Sequence, residues 1–233
     1  MAVTRLDLHR PGSWTRLFPS ALKLMAHLET NIQHAHWTFG GGTVLMLRIG
    51  HRQSKDIDLF VPDPQYLGYV NPRLSEEAEQ VSADYSENAE FIKLFLPAGE
   101  IDIVVGTALT EQPFEQVAYA GRDIKLETCG EIIAKKMWHR GYQAKARDLF
   151  DLCAVADAEP EAIGAAAPFL GRHGAAFLQR LTDRGSIGRS GIQGHRHPGL
   201  SAIFCRLPEP GAQHHRAYFG GHPDLTLGLR GGA

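Results

Sequence analysis

Cysteine is scarce in this chain of 233 residues, with only Cys129, Cys153 and Cys205, far apart and odd in number. Neither a disulfide framework nor a zinc spacing is visible, which points to a reducing compartment. Charge of one sign is also lacking. Lysine and arginine number 24, aspartate and glutamate 26, so the formal net charge is −2. The total gives no sign of nucleic-acid binding, but it does not exclude a local basic patch. No apolar run approaches the roughly 20 residues that span a bilayer. The N-terminus, MAVTRLDLHRPGSW, has no apolar core of a signal peptide. The expected compartment is the cytoplasm, with no membrane partner. There is no H-E-x-x-H, so pairs such as His34 and His36, or His195 and His197, read as surface residues.

What remains is ordinary globular material, 43 % apolar and 21 % charged. Apolar spacing predicts a helix over 14–35, with Pro19 as a candidate start, and a short β-prone stretch at 36–39. Three glycines, Gly40 to Gly42, lead into a short helix, TVLMLRIG. DIDLFV then reads as a strand. Asn71 and Pro72 predict a helix start, running to about Val81. FIKLFL and IDIVV are strong strands joined by PAGE, and EQVAYAG and RDIKLE are two further strand candidates. From Glu131 the pattern turns helical: EIIAKKMWHRG, ARDLFDLCAVAD, and one or two helices over 161–182.

The last 50 residues differ again. Residues 184–233 hold eleven Gly, five His, four Pro and six Arg, no Lys, and only Glu209 and Asp224 as acids. Such a stretch has little to bury and reads as a poorly ordered tail, native or the product of a shifted reading frame. The expected division is a mixed α/β core over 1–128, a helical part over 129–183, and this atypical tail.

Chemistry concentrates in GGGTVLMLRIGHRQSKDIDLF, residues 40–60. On a strand Asp56 and Asp58 share a face, while Ile57, Leu59 and Val61 take the other. Two such carboxylates suit hard cations such as Mg²⁺, which binds through carboxylates plus substrate phosphates. A lone D-x-D more often lines a solvated edge strand. Two features tilt the balance. Gly41 and Gly42 precede a helix, where bare backbone and free N–H donors suit phosphates, and Thr43 or Ser54 can add a hydroxyl. Asp102 lies inside the apolar strand IDIVV, where an acid is costly unless paired or metal-bound. Taken alone, the glycines read as a tight turn and Asp102 as an exposed neighbour of PAGE.

The ordered set resembles the polymerase-β-like nucleotidyltransferase superfamily: G-G-T-x-L, then S-x-D-I-D-L-F, then the acid of I-D-I-V. EIIAKKMWHRGYQAKARDLFDL narrows this to the AbiEii-type toxins, with a lysine helix followed by R-D-x-x-D-L. The resemblance spans residues 20–157 or so. It implies an α+β fold, a nucleotidyltransferase core with a mixed sheet followed by a helical C-terminal half. It implies a nucleoside monophosphate moved from an NTP, with GTP a plausible donor, to a hydroxyl of RNA such as tRNA, and a cognate antitoxin protein. Carried over by position, Gly41 and Gly42 hold the triphosphate and Ser54 touches a phosphate. Asp56, Asp58 and Asp102 bind Mg²⁺, or Mn²⁺ in its place. Asp102 also helps deprotonate the attacking hydroxyl. Lys136, preferred to Lys135 because Met137 follows it, neutralises triphosphate charge, and Lys135 is expected to be dispensable. Asp148 is the fourth acid, although an acid in a first helical turn is favoured anyway. Asp151 reads as a partner of Arg147 or Lys145. Two other functions compete: transfer to a small molecule such as an aminoglycoside, and a catalytically impaired NTP-binding protein.

Overall fold

A computed structural model describes residues 6–140 and 145–185. The sequence-based expectation for the tail beyond 184, and Cys205 with it, falls almost entirely outside that range. Seven strands form one mixed sheet in the order β3-β4-β5-β2-β1-β7-β6. They are β1 (Thr38–Gly40), β2 (Ile57–Val61), β3 (Tyr85–Glu87), β4 (Phe91–Leu96), β5 (Gly99–Val105), β6 (Phe114–Tyr119) and β7 (Arg122–Glu127). Strand β2 runs parallel to β5 and antiparallel to β1, while β1 runs parallel to β7.

One sheet face is dry. Ile57, Leu59, Ile101, Ile103, Phe39 and Leu126 are all fully buried there. Helix α1 (Trp14–Asn31) covers them, and Phe18 stacks on Phe39 with ring centroids 4.6 Å apart. Pro19 lies inside α1 rather than at its start. Proline removes one helical hydrogen bond, but Trp14, Leu17 and Phe18 before it are completely buried, and that burial extends the helix past the signal.

The helix expected from Pro72 is displaced. Asn71 Oδ1 accepts the Arg73 N–H in a local turn. The helix α4 (Glu76–Val81) starts instead at Ser75, whose Oγ accepts the Ala78 N–H. A short α3 (Leu67–Val70) and the exposed edge strand β3 carry too few apolar residues to leave a periodic signal.

Helix α2 (Gly41–Ile49) springs directly from β1. The chain then leaves the sheet through α5 (Cys129–Arg140), α6 (Ala146–Ala158) and α7 (Pro160–Gly185). Helix α7 packs on both α5 and α6, and α6 also meets α2. Within the described residues Cys129 and Cys153 are free thiols. No described helix is long and apolar enough to cross a membrane.

Candidate active site

Strand register builds the site. The parallel ladder sets Asp58 of β2 level with Asp102 of β5, and the antiparallel ladder sets Asp58 level with Gly40 of β1. Neighbouring strands lie about 4.8 Å apart, so level residues on one face stand side by side. Their neighbours Ile57, Leu59, Ile101 and Ile103 all point to the dry face, which leaves both acids on the other. Asp58 and Asp102 are therefore brought together.

Asp102 is an unusual carboxylate. One oxygen, Oδ2, lies 3.1 Å from Lys93 Nζ. The other, Oδ1, is buried with no hydrogen-bond partner among the described residues. Burial, and then the charge of Asp58, push the Asp102 carboxyl up to about 6, with Lys93 opposing.

Asp56 is placed differently. It precedes β2, and its Oδ1 accepts the Glu100 backbone N–H at 3.1 Å. That bond ties its side chain to the start of β5. Among the described residues no group of three or more His, Cys, Asp or Glu side chains is set to hold a metal ion. The adjacent pair Asp58 and Asp102 supplies hard oxygen donors, one of them buried and unsatisfied. Mg²⁺ commonly takes only one or two protein carboxylates and completes its shell with water and substrate phosphates. The residues present fit that kind of half-site.

The glycine turn has a geometry that the motif alone does not reveal. Gly41 has φ +68°, in the left-handed region, and a Cβ there would overlap the Asp58 carboxylate. A Cβ on Gly40 would overlap the Glu127 carboxylate. A Cβ on Gly42 would lie 2.9 Å from an Arg52 guanidinium nitrogen and 3.1 Å from Ser54 Oγ. Each missing side chain makes room for charged or polar groups from elsewhere in the chain. Ser54 thus sits against Gly42, at the N-terminal turn of α2. Thr43 is turned inward, fully buried, and its hydroxyl donates to the Asp56 carbonyl.

The helical half supplies a second cluster. Lys136 Nζ is 3.2 Å from Asp148 Oδ1 and 3.1 Å from Asp151 Oδ2. Asp148 also caps α6, accepting the Lys145 N–H at 3.2 Å. The expected partners of Asp151 are replaced. It is fully buried, and its Oδ1 is 2.8 Å from His51 Nε2 and 2.7 Å from Arg52 Nε, while its Oδ2 accepts from Arg52 Nη2 at 2.9 Å. Burial alone would raise its carboxyl, but His51, Arg52 and Lys136 together hold it well below the usual carboxylate range.

Arg52 links the two halves. The hydrogen bond to Asp151 raises its affinity for its proton, with added support from the charges of Asp148 and Asp58. The sequence assigns Arg52 no role and pairs Asp151 with nearby basic residues of its own segment rather than with His51 and Arg52. The signal available was R-x-S-x-D, a cation in the turn between the glycines and D-x-D. Lys135, the neighbour of Lys136, points away from Asp148 into the sheet. It is buried, bonds Glu127, and lies 4.0 Å above the Phe60 ring.

Residues 23–216 match the family described as nucleotidyl transferase AbiEii toxin of a type IV toxin–antitoxin system. The chain belongs to this family. The AbiEii match runs well past residue 157, where the recognisable motifs end, and with it the chain is a nucleotidyltransferase. No curated protein sequence matches it. Among solved structures, the chain is similar to the antibiotic-resistance factor ANT(2'')-Ia in solution, with 16 % identity and a TM-score of 0.49 over 73 % of this chain and 98 % of that one. The crystal structure of ANT(2'')-Ia with adenylyl-2''-tobramycin aligns at 16 % identity and a TM-score of 0.47, covering 68 % and 98 %. An antigenic nucleotidyltransferase-like protein from Paracoccidioides brasiliensis aligns at 14 % identity and a TM-score of 0.41, covering 86 % and 97 %.

Proposed function

We propose that this nucleotidyltransferase moves a nucleoside monophosphate from an NTP to a hydroxyl of RNA, with Mg²⁺ bound at Asp58 and Asp102, and that it acts as the toxin opposite an antitoxin protein. The observation that carries the reading is the level pairing of Asp58 with Asp102 beside the Gly41 turn. Family membership supports the toxin role and the antitoxin partner.

Transfer needs an attacking hydroxyl, a positioned α-phosphate and neutralisation of the leaving pyrophosphate. The first turn of α2 offers backbone N–H donors to the phosphates, and Ser54 adds a hydroxyl. Asp102, with a raised proton affinity, takes the proton of the attacking hydroxyl once it is ionised. Asp56 braces the start of β2 against β5. Lys136 and Arg52 hold positive charge for the triphosphate, both set by Asp151, with Asp148 fixing Lys136. A divalent cation at Asp58 and Asp102 lowers the charge repulsion between phosphate and nucleophile when bound.

Incubation with each α-labelled NTP, Mg²⁺, and either total RNA or an aminoglycoside panel tests the acceptor. Label in RNA is the expected result. Label in aminoglycoside and none in RNA would replace the RNA reading with the small-molecule one.

A further inference from the structure

We infer that Glu127, at the end of β7, is a positioning residue for the glycine turn, acting through Gly40 on nucleotide binding. The inference rests on the proposed reading that this turn holds the triphosphate. Glu127 is 1 % exposed, two strands from Asp58. Phe39 pairs with Leu126, so the following residues Gly40 and Glu127 stand level, and Gly40 stands level with Asp58. Asp102, Asp58, Gly40 and Glu127 thus form one row across β5, β2, β1 and β7. The only member of that row without a side chain is Gly40, and the Glu127 carboxylate occupies the place where its Cβ would be. The next residue, Gly41, seats Asp58 in the same way. Two successive glycines are therefore wedged between two carboxylates from different strands.

The Glu127 side chain is itself tightly held. Its Oε1 accepts from Thr38 Oγ1 at 2.7 Å and from Lys135 Nζ. Lys135 is braced in turn by Glu131, whose Oε1 is 3.5 Å away, and by the Phe60 ring. Glu131 is fixed by the N–H groups of Leu109 and Thr110 and by the Thr110 hydroxyl. Arg48 of α2 donates to the Glu127 and Leu126 carbonyls at 2.7 and 3.2 Å, which locks the helix that follows the turn to the end of β7. The second carboxylate oxygen, Oε2, has no partner among the described residues and rests against Gly40. Nothing in the hydrogen bonding requires that oxygen. Its observed contact is steric, with the glycine that opens the turn.

Shape and charge at this position can be separated. Glu127→Asp keeps the charge but withdraws the carboxylate from Gly40. Glu127→Gln keeps the shape but weakens the tie to Lys135. Calorimetry of GTP, ATP, CTP and UTP, each with Mg²⁺, is run on the wild type and both variants beside thermal melting. Binding should weaken about tenfold in Glu127→Asp and stay within about twofold of wild type in Glu127→Gln, whereas the melting temperature should fall more in Glu127→Gln. Affinity then follows shape and stability follows charge. Unchanged affinity in Glu127→Asp, or equal loss in both variants, overturns the inference while leaving the turn as the binding element. No binding of any NTP by the wild type overturns the reading of the turn itself, and this inference with it.

Discussion

One oxygen of Asp102 is paired with Lys93, the other is buried without a hydrogen-bond partner among the described residues, and Asp58 stands beside it. Its carboxyl is raised from 3.8 to about 6. Between those two values the folded protein holds a proton that the unfolded chain has released. The contribution of Asp102 to stability therefore falls as pH rises from about 4 to about 6 and levels off above that range. Asp102→Asn removes the ionisable group and should escape this loss. In metal-free buffer its melting temperature should match wild type near pH 4 and exceed it by roughly 5 °C above pH 7. Scanning calorimetry across pH checks this, and a gap independent of pH would contradict it. The same variant should lose turnover, because the group that burdens the empty fold is the one proposed to serve the chemistry.

At the scale of elements, α5 directs two adjacent lysines to different tasks. Lys135 is 5 % exposed and tied to Glu127 and Glu131, and Lys136 meets Asp148 and Asp151. The family resemblance favours Lys136 and leaves Lys135 as dispensable, yet Lys135 is buried and paired with two carboxylates. Removing it strands a buried carboxylate, which costs about 3–5 kcal/mol. Lys135→Ala should therefore lower the melting temperature strongly. Lys136→Ala should cost less stability, since His51 and Arg52 still satisfy Asp151, while reducing turnover at least about a hundredfold. Parallel melting and labelled-NTP assays decide it; the reverse pattern would mean that Lys135 is the site lysine. Register explains why the buried pairing of Lys135 was not legible in the sequence. Adjacent residues on a helix are about 100° apart, and which one faces the sheet depends on the approach of α5 to Glu127 and Phe60.

For the molecule as a whole, what was legible was local. Asp58 in the strand DIDLFV, the glycine turn, the acid in IDIVV and the lysine helix all lie within short segments with their own periodicity. The core strands and α1, α2, α5 and α6 follow from the same apolar spacing. The long-range partners were not legible. Asp151 meets His51 and Arg52 across about 100 residues of chain, and Glu127 fills the place beside Gly40 only because β1 pairs with β7. Short elements such as α3 and β3 exist because the sheet and α1 hold them, not because their own sequence does. The helix start at Ser75 rather than Pro72 was a contest of two caps, decided by which turn Asn71 could close on itself.

Asp58 and Asp102 are proposed as the catalytic carboxylate pair of this nucleotidyltransferase. The most direct test of that role is Mg²⁺-dependent release of pyrophosphate and transfer of α-label to RNA by wild type and Asp58→Asn, with circular dichroism confirming that both are folded. Wild type should transfer label and lose the activity on chelation, and folded Asp58→Asn should fall at least about a thousandfold. Undiminished transfer by folded Asp58→Asn would contradict the account.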